Sequence, residues 1–132
     1  MDFPIRVYYE DTDAGGVVYH ACYLHFFERA RTEFLRQLGF SQQLLLSQSM
    51  AFVVKKMEID YKKPAYLDDF LTVKSIISEL KGAKIVFKQT LWRGEECLCE
   101  VSVVVVSVDL AKMKAIAIPE DIKQAFNAII SM

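Results

Sequence analysis

No stretch of this 132-residue chain reaches the ~18 consecutive apolar residues that a membrane-spanning helix needs. Met1 to Arg6 also lack the apolar core of a secretory leader, so the expected compartment is the cytoplasm. Basic residues do not outnumber acidic ones. Sixteen against 17 give a net charge of −1, which removes the electrostatic ground for nucleic acid as the main partner. Cysteine is scarce and odd in number. Cys97 and Cys99 sit too close along a strand to bond each other, so these two and Cys22 are expected as reduced thiols, two of them in the core. Neither a CxxC pair nor a His/Cys cluster at ligand spacing occurs, and no metal site is expected. With five glycines and three prolines the chain has no linker and no repeat, which leaves a single domain over residues 1–132.

Hydrophobic residues make up 53% of the chain, and they fall into two periodicities that set the fold class. Pro4 precedes a short extended run to Tyr9, which gives way to loop chemistry at Glu10-Asp11-Thr12-Asp13-Ala14-Gly15-Gly16. After Val17-Val18-Tyr19-His20, apolar positions at Tyr23, Phe26, Phe27, Ala30, Phe34 and Leu38 keep helical spacing until Gly39. That predicts a helix of about 18 residues, ~27 Å long, whose aromatic stripe needs a broad apolar surface to lie against. Alternation supplies it: strands are expected near Ala51–Lys62 and Phe70–Glu79, then a hairpin through Lys84–Trp92, Gly94 and Cys97 onward. The class is α+β, with an antiparallel sheet and a short helix opened by Pro119.

The last long strand puts Val101, Val103 and Val105 on one face and Val104, Val106 and Val108 on the other, so both faces are expected to be covered. One helix covers one face. The second is expected to meet another subunit, the competing cover being the C-terminal helix through Ile122, Phe126, Ile129 and Ile130.

The chemistry gathers between Tyr9 and His20. Asp13 offers a carboxylate that can attack a thioester carbonyl or take a proton from water, and glycines allow close approach of backbone to ligand. Amides at the start of the following helix are orphan donors with positive character, suited to an oxyanion. Each piece alone is more often a cap or a turn. Together, Val7-Tyr8-Tyr9-Glu10-Asp11-Thr12-Asp13-Ala14-Gly15-Gly16-Val17-Val18-Tyr19-His20, with Tyr23, Phe26 and Glu28-Arg29-Ala30-Arg31, resemble the signature of hot-dog thioesterases in the 4-hydroxybenzoyl-CoA thioesterase-like family. The closest likeness is to its YbgC-type, Tol-Pal-associated subgroup. It extends to Ala51-Phe52-Val53-Val54, to Pro64-Ala65 with Leu67-Asp68-Asp69, and to Val108-Asp109-Leu110 with Lys112-Met113-Lys114.

The resemblance implies a hot-dog fold, a long central helix wrapped by a five-stranded antiparallel sheet, and an acyl-CoA thioesterase without a cofactor. It implies a homodimer or homotetramer with acyl-CoA held near the subunit interface, and acyl carrier protein is a further candidate partner. Asp13 matches the catalytic carboxylate and the His20 amide the donor to the thioester carbonyl. Tyr9 and His20 match side chains lining the site, and Gly16 and Val17 the loop that admits the thioester. Cys22 departs from the small or polar residue usual at the helix start. Lys81 and Lys84, flanking Gly82 in a hairpin, are candidates for the CoA phosphates. Glu28 is expected to pair with Arg31 one turn on. Two alternatives stand beside hydrolysis: a hot-dog dehydratase, for which the histidine motif is missing, and a non-catalytic acyl-CoA or acyl-carrier-protein binding subunit.

Overall fold

The computed structural model describes residues 1–130. Four long strands, β2 (Met50–Tyr61), β3 (Phe70–Lys81), β4 (Lys84–Arg93) and β5 (Glu96–Asp109), join β1 (Asp2–Arg6) in an antiparallel sheet of order β1-β3-β4-β5-β2. A two-residue β6 (Lys114–Ala115) adds to the end of β5, one strand more than the five expected. The glycine hairpins form as the alternation predicts. Gly82 and Gly94 both take φ near +61°, a left-handed conformation that side-chain-bearing residues rarely adopt.

The central helix α1 (Cys22–Gln37) is 16 residues long, close to the length of about 18 that its pattern suggests, and the chain turns away at Gly39 with φ +94°. Tyr23, Phe26, Phe27, Ala30 and Phe34 are buried against the inner face of the sheet, where Phe34 meets Phe87 edge-on with 5.6 Å between ring centroids. Arg31 is buried too, although its charge marks it for solvent. It donates to Gln89 (2.9 Å), and Gln89 in turn donates to Ser75 Oγ and the Phe27 carbonyl (3.0 Å each), a polar tie between helix and sheet. Burial holds the Arg31 guanidinium below its ordinary pKa range, with Glu28 opposing that effect from a distance. Glu28 makes no ion pair with Arg31 among the described residues: its side chain is exposed, while Arg31 turns inward to Gln89. The expected i,i+3 pair is therefore replaced by a helix-to-sheet bond.

Several expectations need correction. Pro4 lies inside β1, opposite Thr72, where an edge strand tolerates a residue without N–H. A short helix α2 (Gln42–Ser47) follows α1, capped by Ser41 Oγ accepting the Leu44 N–H at 3.0 Å. The C-terminal helix α3 (Glu120–Ile130) packs on the same side as α1, since Phe126 meets Phe34 at 6.2 Å, and so does not cover the outer face. Ile122 and Phe126 are buried as expected, whereas Ile130 is exposed. On the outer face Val104, Val106 and Val108 remain half-buried. Of the thiols only Cys99 is fully buried, with Cys22 and Cys97 half-buried, and burial pushes Cys99 up to about 12.

Candidate functional site: the loop before the central helix

Between β1 and α1 the chain makes a single 3-10 turn, Tyr9–Asp11, and then a tight loop. The two carboxylates of the Asp-Thr-Asp run part company here. Asp11 is buried and structural: its Oδ2 accepts the Tyr8 N–H (2.9 Å), and its carbonyl accepts the Tyr19 N–H (2.9 Å). Asp13 is exposed, and only its Oδ1 is engaged, by the Gly15 N–H at 2.9 Å.

The backbone around Asp13 is fixed from both sides. Its N–H donates to the Val17 carbonyl (3.0 Å), its carbonyl accepts from Gly16 (3.1 Å), and Thr12 pairs with Val18. Gly16 adopts φ +74°, and the space where a side chain would start is open, which leaves room for a ligand to approach. Beyond the loop, the amides of Val18, Tyr19 and Cys22 donate to Ala65, Asp11 and Tyr19. Those of His20 and Ala21, at the threshold of α1, have no protein acceptor among the described residues. They are the orphan donors of a helix start, with its positive end behind them.

Val17 and His20 line a cleft of about 320 Å³ together with Tyr61, Lys62, Lys63 and Pro64. Tyr61 donates its hydroxyl to the His20 carbonyl (3.0 Å), and Tyr19 stacks obliquely on the imidazole at 4.3 Å. The structure thus brings Asp13, Gly16, Val17 and His20 into one loop. It does not bring the rest of the expected set there. Tyr9 projects into solvent at 80% exposure. Lys81 and Lys84 sit at the far end of β3 from Phe70, where the chain leaves the 64–69 turn, and Lys84 is ion-paired with Glu79 at 3.3 Å. The cations beside the cleft are instead Lys62, 3.7 Å from Glu100, and Lys63, 2.7 Å from Glu96. Sequence pattern singled out neither these nor Tyr61, because they come from the end of β2 and meet His20 some 41 residues away along the chain.

A helix wrapped by an antiparallel sheet, with a carboxylate loop and free amides at the helix start, defines the hot-dog thioesterase class. Residues 7–126 match the thioesterase-like superfamily, and the chain belongs to it. It is 60% identical to the acyl-CoA thioesterase YbgC of Haemophilus influenzae, across 96% of this chain and 94% of that protein. It is 52% identical to the acyl-CoA thioester hydrolase YbgC of Escherichia coli O6:H1, across 95% and 94%. Among solved structures it superimposes on a probable thioesterase from Bartonella henselae with a TM-score of 0.86 at 44% identity, covering 90% of this chain and 98% of that one.

Proposed function

We propose that the chain hydrolyses acyl-CoA thioesters to the free acid and CoA, with Asp13 as general base or nucleophile and the His20 amide donating to the carbonyl oxygen. The observation that carries this is the division of labour in the loop: one carboxylate is consumed in holding the backbone, while the other is exposed on the same loop that ends in unspent amides at His20 and Ala21. In the Asp13 carboxylate one oxygen is oriented by Gly15 and the second is available to a water molecule or to the thioester carbon. As the tetrahedral centre forms, charge develops on the former carbonyl oxygen, where a helix-start amide stabilises it without reorganising. As general base, Asp13 takes a proton from the attacking water and returns it to the leaving CoA thiolate; as nucleophile, it forms an acyl anhydride, the thiolate is protonated by solvent, and water then hydrolyses the anhydride to the free acid and regenerates the carboxylate. Gly16 and Val17 supply the open passage, and the His20 imidazole borders the cleft.

The working form is a homodimer or homotetramer. Support comes from β2, a 12-residue edge strand with its outer rim unpaired, and from Val53 and Val54 within it, 43% and 49% exposed. A second copy along β2 would cover them and give exposed Tyr9 a surface to meet. Lys81 and Lys84 reach a thioester only across such a contact, so we place the CoA phosphates over Lys62 and Lys63 first. Acyl carrier protein is a second thioester source for the same site, the cytoplasm is the compartment that fits its unpaired thiols, and association with the Tol-Pal system is that of the subgroup. Among the described residues no helix is long and apolar enough to cross a membrane.

The test is release of CoA from short-chain, long-chain and aromatic acyl-CoA esters, followed by mass spectrometry because the protein's own thiols would react with thiol dyes. Turnover of at least one ester is the expected result. Tight acyl-CoA binding with no turnover by folded protein would overturn the assignment in favour of an acyl-binding subunit.

A further inference from the structure

The catalytic loop does not stand on its own. Its second half is built against residues 64–69, the turn between β2 and β3: the Val18 N–H donates to the Ala65 carbonyl (2.9 Å), the Leu67 N–H to the Gly16 carbonyl (2.9 Å), and Val17 bridges Tyr66. That turn lies on the surface, with Pro64, Tyr66, Leu67 and Asp68 all exposed, so apolar packing alone does not fix it. Asp68 even takes φ +69°, a left-handed conformation that needs support from its neighbours.

One side chain from outside the turn spans it. Arg93, the last residue of β4, donates through Nη1 to the Pro64 carbonyl (3.2 Å) at one end and to Asp69 Oδ2 (2.8 Å) at the other. The same Asp69 oxygen accepts the Tyr66 N–H at 2.9 Å, and the guanidinium stands 5.7 Å from the Tyr66 ring centroid. Its remaining edge is held by Glu96 through Nε (3.2 Å) and Nη2 (2.6 Å), and Glu96 is itself tied to Lys63 at 2.7 Å. Arg93 is 30% exposed and Asp69 21%, so the pair is only partly screened by water.

We infer that Arg93 and Asp69 are positioning residues for hydrolysis: the Arg93 guanidinium and the Asp69 carboxylate fix the 64–69 turn, which fixes Gly16–Val18 and through them Asp13 and the His20 amide. The chain of contacts is continuous from Arg93 to the Asp13 backbone, whose N–H and carbonyl are both bonded to residues 16 and 17. Neither residue touches the thioester. A planar fork is required, because two acceptors separated by five residues are met at once by a single nitrogen while two others grip Glu96, a geometry that lysine's point charge does not reproduce.

This inference rests on the proposed hydrolysis, and its test separates the two. Arg93→Lys, Arg93→Ala and Asp69→Asn are assayed beside the wild type for kcat and KM, with amide hydrogen exchange on each. A loop displaced by a fraction of an ångström to an ångström should lower kcat by about 10- to 100-fold. KM should stay within about twofold, the signature of lost transition-state stabilisation. Free guanidinium ion should restore part of the kcat of Arg93→Ala, and sodium chloride at the same concentration should not. Exchange should quicken at the amides of Val18, Tyr66 and Leu67 while the β5 amides keep their protection. Unchanged kcat and exchange would overturn the inference, as would exchange quickened across the whole sheet, which would make the pair merely stabilising. If the wild type turns over no ester, the thioesterase assignment fails alone, and the exchange pattern still decides the positioning role.

Discussion

Asp11 and Asp13 are two residues apart and do different work, and the difference is one of hydrogen bonding. Asp11 is buried with its carboxylate on the Tyr8 amide, so Asp11→Ala should cost about 1 kcal/mol in denaturant unfolding, as loss of a capping side chain does. His20 allows a sharper separation of side chain from backbone. His20→Ala keeps the amide and should lose less than about tenfold in kcat, whereas His20→Pro removes the N–H and should lose about 10²- to 10³-fold, as removal of one oxyanion donor does, with the circular dichroism spectrum of both unchanged. Equal losses in the two would move the role to the imidazole. That Asp13, Gly16, Val17 and His20 share one loop was legible because they fall within eight residues, and turn residues ahead of a helix carry their own signal. Tyr61, Lys62, Asp69 and Arg93 were not legible: Tyr61 reaches His20 across 41 residues, Lys62 lines the same cleft, Arg93 meets Asp69 across 24 residues, and nothing local marks any of them.

Elements were readable where their periodicity was long. The aromatic stripe from Tyr23 to Phe34 specifies α1, and alternating valines specify β5, each over several periods. Helix α2 was missed because Leu44, Leu45 and Leu46 are consecutive and six residues hold no helical period; only its Ser41 cap betrays it. Arg31 shows the opposite failure, a charged residue whose burial depends on finding Gln89 on a distant strand. Gln89→Leu should therefore destabilise the fold by about 1–3 kcal/mol in denaturant unfolding, since it leaves Arg31, Ser75 and the Phe27 carbonyl without that partner. A variant as stable as the wild type would mean that these groups find other partners at no cost.

At the scale of the molecule, α1 and α3 cover one face of the sheet and leave the other half-buried, with β2 at an open edge. The valines on both faces of β5 raised the expectation that both faces are covered, and α3 adds to the side that α1 already covers. Sedimentation equilibrium should give a mass of two or four chains, and a monomer at assay concentration would contradict the oligomeric account. The most direct test of the central claim is the steady-state kcat of Asp13→Asn against wild type on the best acyl-CoA ester. The carboxamide keeps the shape and the Gly15 contact but not the basicity, and kcat should fall by about 10²- to 10⁴-fold with folding intact. A folded Asp13→Asn variant that turns over at the wild-type rate would contradict it.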